Sequence, residues 1–416
     1  MPKHKLYSWL PQLSHQVWII AIGRLLSQIG SGFTLFYAPI FFVNQVGFSA
    51  TAVGIGLGSA SISGVVGRFL GGSFSDSQFW GRRRTLLLAL AVCAVASFVL
   101  AFTFNFPVFV VGNLLMGLGI GLYWPATEAA VADMTTIEQR NEAFAITRLA
   151  DSLGLGIGVV LGGALIGTTG NYRALFIVDG ISFLVFLAVV YAAIAETRKF
   201  EEHDSKKHRQ AWAVAFSDRQ LMVYVLVNIL FTTYIAQIQS TIPLYFSNFV
   251  TGVSSGKGFS PQMISGLFTW HVVFAALCQL PVARALNRFG RPLALTLSIV
   301  LFGLGFVLIW VTGVTSTYPI IWAIAALGVL AIAMVAYTPS ASAFVVDLAP
   351  ESLRGIYLSI NSQCWAIGYF IGPSLGGWAL DRSRFIAHGY WFAAAASTSI
   401  GIAILQYLNR MQRSNL

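Results

Sequence analysis

The chain is 416 residues long, 56% apolar and only 10% charged, with a formal net charge of +10 and a mean hydropathy of +0.74. These proportions exclude an ordinary soluble enzyme or binding domain, which would carry far more charge. They equally exclude a disordered chain, which cannot bury this much apolar surface.

The N-terminus, Met1 to Gln16, begins basic but runs into an apolar segment too long for a secretory signal core and without a small-residue cleavage site, so it is expected to be retained as the first span. Apolar segments long enough to cross about 30 Å of hydrocarbon as helices then recur to the end of the chain. Twelve are expected, at 17–43, 51–73, 84–104, 108–133, 142–168 and 173–193, then 219–250, 260–283, 292–313, 319–347, 354–380 and 389–409. The predicted fold is therefore an all-α polytopic membrane protein of 12 transmembrane helices. The longest polar stretch, Glu196 to Arg219, falls between the sixth and seventh spans. This divides the chain into an N-terminal six-helix bundle (1–193), a linker (194–218) and a C-terminal six-helix bundle (219–416).

Most of the 25 Lys and Arg residues lie in the tails and in the loops after even-numbered spans, among them Arg82, Arg83, Arg84, Arg198, Lys199, Arg288, Arg291 and Arg410. The opposite loops hold only Arg173, Lys257, Arg382 and Arg384. By the positive-inside rule both termini are expected in the cytoplasm, with a bacterial inner membrane as the expected location. The basic charge thus reflects topology, and no nucleic-acid partner is implied.

The two bundles are repeats of one unit. Tyr123, Pro125, Ala129, Val131, Asp133, Arg140 and Ile146 recur 214 residues later as Tyr337, Pro339, Ala343, Val345, Asp347, Arg354 and Ile360. At the same offset Gly154, Gly158, Gly162 and Gly163 meet Gly368, Gly372, Gly376 and Gly377, and at an offset of 204 Pro39 and Asn44 match Pro243 and Asn248. Two parallel repeats meeting near the bilayer midplane suit a solute site that opens alternately to either side.

After the second span the chain reads Gly72-Ser-Phe-Ser-Asp76, then Gly81-Arg82-Arg83-Arg84, and after the eighth Asn287-Arg288-Phe289-Gly290-Arg291. This resembles the signature loop Gly-x-x-x-Asp-Arg-x-Gly-Arg of the major facilitator superfamily. The fifth span supplies Gly154-x-x-x-Gly158-Val159-x-x-Gly162-Gly163, and the eleventh Gly368-x-x-x-Gly372-Pro373-x-x-Gly376-Gly377. Both are similar to the antiporter motif of the 12-helix drug:proton antiporter branch. Departures are visible: Ser77 stands where the family has Arg, Gly81 comes two residues late, Asn287 replaces the Asp of the second copy, and Val159 replaces the motif Pro. The resemblance implies a cytoplasmic gate built from Asp76, Asp133 and one of Arg82, Arg83 or Arg84, with Gly81 and, in the second copy, Arg288 and Gly290.

An ionisable side chain deep in a span costs roughly 2.5 to 3.5 kcal/mol, so each is a functional candidate. Arg24, Glu128, Arg148 and Asp151 all fall at depths of about 8 to 14 Å from the cytoplasmic side, where they are expected to form one cluster for proton coupling. Their repeat partners are Asn228, Ser342, Ser362 and Trp365, so the scaffold does not require the charges. The alternative is a purely structural set of ion pairs fixing the first, fourth and fifth spans. Asp179 and Arg68 are expected to be structural. Candidate cavity residues are Gln28, Phe36, Asn113 and Trp124 in the first half and Asn228, Tyr234, Gln237, His271, Tyr337, Asn361 and Trp365 in the second. Aromatic area with few hydrogen-bonding groups suits a moderately apolar organic solute.

Cys93, Cys278 and Cys364 lie in apolar spans without pairing or ligand spacing. No zinc-protease signature, nucleophile elbow or phosphate loop is present, and Gly252-x-x-x-Gly256-Lys257 and Gly117-x-Gly119-x-Gly121 lack the context for nucleotide binding. No enzyme activity, cofactor or metal is expected. The expected function is proton-coupled efflux of a small organic solute, working as a monomer in the bilayer. Proton-coupled uptake and lipid or lysolipid transport are the alternatives, and a non-transporting receptor or intramembrane enzyme is a weaker one.

Overall fold

The computed structural model describes residues 13–77, 79–197, 213–251, 258–286, 290–350 and 353–414, and the regular structure among them is helical. The helices are α1 (His15–Leu35), α2 (Ala38–Asn44), α3 (Ala50–Asp76), α4 (Gly81–Ala101), α5 (Phe106–Asp133), α6 (Ile137–Thr169) and α7 (Arg173–Ala193) in the first half. The second half contributes α8 (Arg219–Gln239), α9 (Thr241–Asn248), α10 (Pro261–Leu286), α11 (Arg291–Val314), α12 (Pro319–Leu348), α13 (Arg354–Leu380) and α14 (Arg384–Ser414). Among the described residues 11 helical stretches are long and apolar enough to cross a membrane. The remaining expected span, α13, is helical for 27 residues.

Two expected spans are broken, and at the same place in each repeat. α1 stops at Leu35, four residues before Pro39, and α8 stops at Gln239, four residues before Pro243. Proline has no N–H to donate and its ring crowds the carbonyl four residues back, so the ladder ends there and restarts as α2 and α9. Other ends are set by caps. The Asn105 side chain accepts from the Val108 N–H at 3.0 Å, Thr136 and Gln139 form a reciprocal capping box, and Asp218 accepts from the Gln220 and Leu221 N–H groups.

The chain packs as two compact units. The first holds α1, α3 from Ile62 onward, and α4 to α7. Here α1 lies against both α6 and α7. A Cβ on Gly154 or Gly158 of α6 would collide with the Leu25 or Ile29 carbonyl of α1, and one on Gly23 or Gly30 of α1 would collide with Phe186 or with Ser182 and Asp179 of α7. Absence of side chains on both faces lets the backbones approach closely, the main source of attraction between helices that have no water to escape. Gly162 and Gly163 continue the buried face of α6.

The second unit holds Phe36–Ser61 together with α8 to α14, so packing does not follow the boundary between the repeats. Three contacts explain why. The Asp381 carboxylate at the end of α13 accepts from the Ala50 N–H at 2.8 Å, the Thr51 N–H at 2.7 Å and the Thr51 hydroxyl, capping the N-terminus of α3. Asn44 and Asn248, which are repeat partners, exchange amide hydrogen bonds of 2.9 Å in both directions. Gly54 and Gly377 bring α3 against the Pro373 carbonyl and the α3 start, and Gly368, Gly372 and Gly376 pack α13 on α8 and α9 at Thr232, Thr233 and Thr241. Thus α13 on α8 repeats the contact of α6 on α1.

Val substituted at Gly158 is expected to overpack the α1–α6 contact and cost at least about 1–3 kcal/mol, lowering the thermal midpoint of the purified protein in detergent. Ala at Gly266, where a Cβ meets nothing within 4 Å, is expected to hold the midpoint or raise it slightly, since Ala favours the helix over Gly. The two melting curves check this.

Candidate functional site

The first unit contains a charged cluster on α1, α5 and α6. Arg24 is 2% exposed in the middle of α1. Its Nε donates to Asp151 Oδ1 of α6 at 3.0 Å and its Nη2 donates to Asp151 Oδ2, a bidentate pair. The guanidinium lies 5.0 Å from the Trp124 ring centre, so aromatic area of α5 covers the side of the ion pair. Gln28, one turn along α1, is half-buried and meets Gly154. Beside the pair, Arg24 Nη1 is buried with no hydrogen-bond partner.

Of the four charges expected in one cluster, contact joins only Arg24 and Asp151. Glu128 and Arg148 are exposed, and neither makes an ion pair among the described residues. Glu128 still acts electrostatically on Arg24 and on Arg68 of α3. Arg148 does share a helix with Asp151, but the carboxylate is engaged by α1 instead of its neighbour one turn back. Helix spacing permits an i,i+3 pair, but the planar fork of the buried arginine offers two parallel bonds.

The matching place in the second unit is neutral. Asn228, the partner of Arg24, donates through Nδ2 to Asn361 Oδ1 at 2.8 Å, and Tyr337, the partner of Tyr123, donates to Asn228 Oδ1. Tyr224 donates to Asn361 Oδ1 at 3.3 Å. Asn228, Tyr337 and Asn361, expected to line a cavity, are buried and with Tyr224 knit α8, α12 and α13 together. Burial likewise takes other expected lining residues. Asn113 donates to the Phe109 carbonyl of its own helix at 2.9 Å, and His271 Nδ1 bonds the Leu327 carbonyl at 2.9 Å. Tyr234 bonds Ser397 at 2.7 Å, Gln237 donates to Tyr390, and Phe36 stacks on Phe268 at 4.4 Å. Trp365 is half-buried between Tyr337 and Tyr369, and Trp124 is half-buried over Arg24.

At the end of the first unit that bears the basic loops, Arg82 is the bridging arginine. Its Nε donates to Asp133 Oδ2 at 3.1 Å and its Nη1 donates to Asp76 Oδ1. Arg83 donates instead to the Tyr191 carbonyl at 2.7 Å, and Arg84 to the Phe79 carbonyl at 2.6 Å. Gly81 has φ +69°, a conformation costly for residues with a Cβ, and a Cβ there would strike Glu196. Glu196 accepts from the Arg82 and Arg83 N–H groups at 2.8 and 3.1 Å, so it caps α4. The second unit keeps a reduced copy, with Arg291 Nε 3.5 Å from Asp347 Oδ2, and Gly290 is the residue preceding α11. Arg288 lies outside the described residues. Glu196 and Asp381 were not recognisable as caps in the sequence, since each meets a helix end more than 100 positions away. The only local signal was an acid placed beside a span end.

The sequence profile described as Major Facilitator Superfamily matches residues 20–258 and 250–415. A relative from Bacillus subtilis (strain 168), the uncharacterized MFS-type transporter YqjV, is 25% identical over 95% of this chain and 94% of its own. The Na(+), Li(+), K(+)/H(+) antiporter of Planococcus maritimus is 26% identical, with 88% of each chain covered. Multidrug resistance protein 2 of Bacillus subtilis (strain 168) is 22% identical over 88% of this chain and 89% of its own. Among solved structures, the crystal structure of the nucleoside transporter NupG (D323A mutant) superposes with a TM-score of 0.80 at 13% identity, covering 94% of this chain and 99% of that one. That likeness establishes the fold.

Because Arg82 joins the ends of α3 and α5 through both acids, Arg82→Ala is expected to cut transport at least about tenfold, the equivalent of about 1.4 kcal/mol. Arg83→Ala and Arg84→Ala are expected to stay within about threefold, since each bonds only a carbonyl and an aromatic ring. Solute flux in proteoliposomes at matched protein density checks the contrast.

Proposed function

The chain belongs to the major facilitator superfamily, so it is an integral multi-pass membrane transporter of small molecules and not an enzyme, and from that premise we propose proton-coupled efflux of a moderately apolar organic solute. The observation that carries the proposal is the charge asymmetry between the repeats. The first repeat buries Arg24 against Asp151 where the second holds Asn228 against Asn361. An amide knot does the packing without charge, so the ion pair and its neighbour Glu128 serve something other than the scaffold. Protonation of one acid in a poorly solvated site changes the cost of burial, which makes proton binding and helix position depend on one another.

Efflux is favoured by the glycine pattern of α6 and α13 and by relatives named for multidrug resistance and for cation/proton antiport. In this reading the repeats at 1–193 and 219–416 are the moving bodies of an alternating-access cycle, and one monomer suffices. Arg82 with Asp76 and Asp133 forms the latch on the cytoplasmic side, and Gln28, Trp124 and Trp365 contribute to the solute path. The membrane is a bacterial inner membrane with both termini in the cytoplasm.

Proteoliposomes given a fluorescent lipophilic cation such as ethidium, with and without an imposed proton gradient, test the coupling. Asp151→Asn and Glu128→Gln, singly and together, are expected to abolish gradient-driven movement while leaving downhill exchange within about threefold, because binding and coupling are separable free energies. Full gradient-driven flux in the double variant would return these acids to a structural role. Orientation is checked separately: an epitope inserted at 198–212 is expected to be reached by antibody only after the cell membrane is permeabilised, and one at 252–257 in spheroplasts without it.

A further inference from the structure

Asp179 is a deeply buried acid of the first unit, and no part of the cluster above uses it. It is six residues into α7 and 1% exposed, at the point where α7 meets α1 and α4. Ser97 of α4 donates to its Oδ2 at 2.7 Å. The other oxygen, Oδ1, is buried with no hydrogen-bond partner. It faces Gly30 of α1, where even a Cβ would strike it and the Ser182 Oγ. Ser182 Oγ does not relieve it, since that hydroxyl donates to the Asp179 carbonyl at 2.7 Å.

No cation compensates it among the described residues. On α1 the charged candidates are His15, at the helix start, and Arg24, which is committed to Asp151. On α4 they are Arg82, Arg83 and Arg84, all in the first turn and engaged there. Arg173 of α7 donates to the Ala101 and Thr103 carbonyls. Among titratable groups, the Cys93 thiol of α4 is near enough to feel the Asp179 charge, although its sulfur packs against Gly119 of α5. A bare carboxylate with one donor and no counter-charge costs several kcal/mol in such surroundings, whereas a neutral acid must only bury a hydroxyl. The scaffold does not demand an acid here, because α14, the corresponding helix of the second repeat, contains no Asp or Glu.

We propose that Asp179 is a proton-binding site, a neutral carboxylic acid in this conformation, that releases its proton when α1 moves off it. The proposal rests on the proton-coupled reading above and adds a second protonation site to it. Geometry supplies the link. Gly30 covers Asp179 on one side of α1, and Arg24, about 9 Å along the same helix, holds Asp151 on another. Displacement of α1 toward neither neighbour leaves both contacts intact; displacement away from α7 exposes the Asp179 carboxyl, and displacement away from α6 breaks the ion pair. One rigid helix therefore reports its position to both acids.

Infrared spectroscopy of the purified full-length chain at neutral pH tests the site without any solute. A protonated-carboxyl C=O band is expected that disappears in Asp179→Asn and persists in Asp151→Asn. Ser97→Ala removes the one donor that favours the ionised form, and the band is then expected to survive to a pH higher by up to about one unit, a tenfold gain in proton affinity. This variant keeps the test available if the α7 substitution folds poorly. In proteoliposomes with ethidium, Asp179→Asn is expected to reduce gradient-driven flux at least about tenfold while downhill exchange stays within about twofold. Absence of the band from the unmodified protein, or its persistence in Asp179→Asn, overturns the site. Undiminished gradient-driven flux in Asp179→Asn overturns its part in transport. Indifference of the unmodified protein to the gradient overturns the coupling reading instead, and the infrared assignment still decides whether Asp179 carries a proton.

Discussion

Inside hydrocarbon no hydrophobic force presses one helix against another, so the first unit depends on how closely α1 approaches α6 and α7. Glycine makes that approach possible on both sides: Gly154 and Gly158 from α6, Gly23 and Gly30 from α1 itself. The contact is backbone against backbone, which gives dense dispersion contacts without long side chains to order. It also leaves no slack. A helix held this tightly moves as a rigid rod, and whatever charges it carries move with it. Arg24 is placed where that rod meets α6, and its partner Asp151 is one turn before Gly154 on the same α6 surface.

The second unit solves the same packing problem without charge. Gly368, Gly372 and Gly376 bring α13 onto α8 and α9 as Gly154 and Gly158 bring α6 onto α1, and amides replace the ion pair. The amide knot leaves no fully buried side-chain atom without a partner: Asn228 donates to Asn361 and accepts from Tyr337, and Tyr224 adds a donor. The charged knot differs, since Arg24 Nη1 is buried without a partner. A saturated neutral network is a rigid one, whereas an ion pair with a spare donor can exchange partners at lower cost. The repeats have therefore kept one geometry and divided the chemistry.

Much of this was legible in the sequence, and the parts that were not share a cause. Helix positions followed from apolar length, the duplication from matched residues at constant offset, and the pairing of Asp76 and Asp133 through an arginine from the motif they resemble. Choosing Arg82 over Arg83 and Arg84 needed three dimensions, because successive residues of a helix point about 100° apart and only one faces both acids. The proline breaks were present as the matched Pro39 and Pro243, yet both were absorbed into long expected spans, since an apolar run gives no sign that its ladder is cut. Cavity residues fared differently. Asn228, Tyr337 and Asn361 read as solute contacts because polar groups in a span are rare, but a polar group can also be satisfied by another helix, and periodicity alone does not tell which. Asp179 read as a structural acid that pairs locally, and among the described residues the structure leaves it without a counter-charge. Contacts between distant ends, such as Asp381 on α3 and the reciprocal Asn44–Asn248 pair, have no periodic signature at all.

The bidentate geometry of Arg24 on Asp151 bears on the order of events in the proposed cycle. While both carboxylate oxygens accept from the guanidinium, a proton arriving at Asp151 must displace a charge-assisted hydrogen bond, and the neutral acid left behind would strand a buried arginine. Breaking a buried pair by neutralising one member costs about 3–5 kcal/mol, a penalty avoided only if Arg24 finds another anion at the same moment. Glu128, whose charge already acts on Arg24, is the acid available for that exchange. Proton entry at Asp151 and transfer of Arg24 toward Glu128 are then one step, and because Arg24 is fixed to α1, that step requires α1 to turn or slide between α6 and α5. The glycines of α6 that permit close approach also present a smooth surface along which such a slide meets no side-chain ridge.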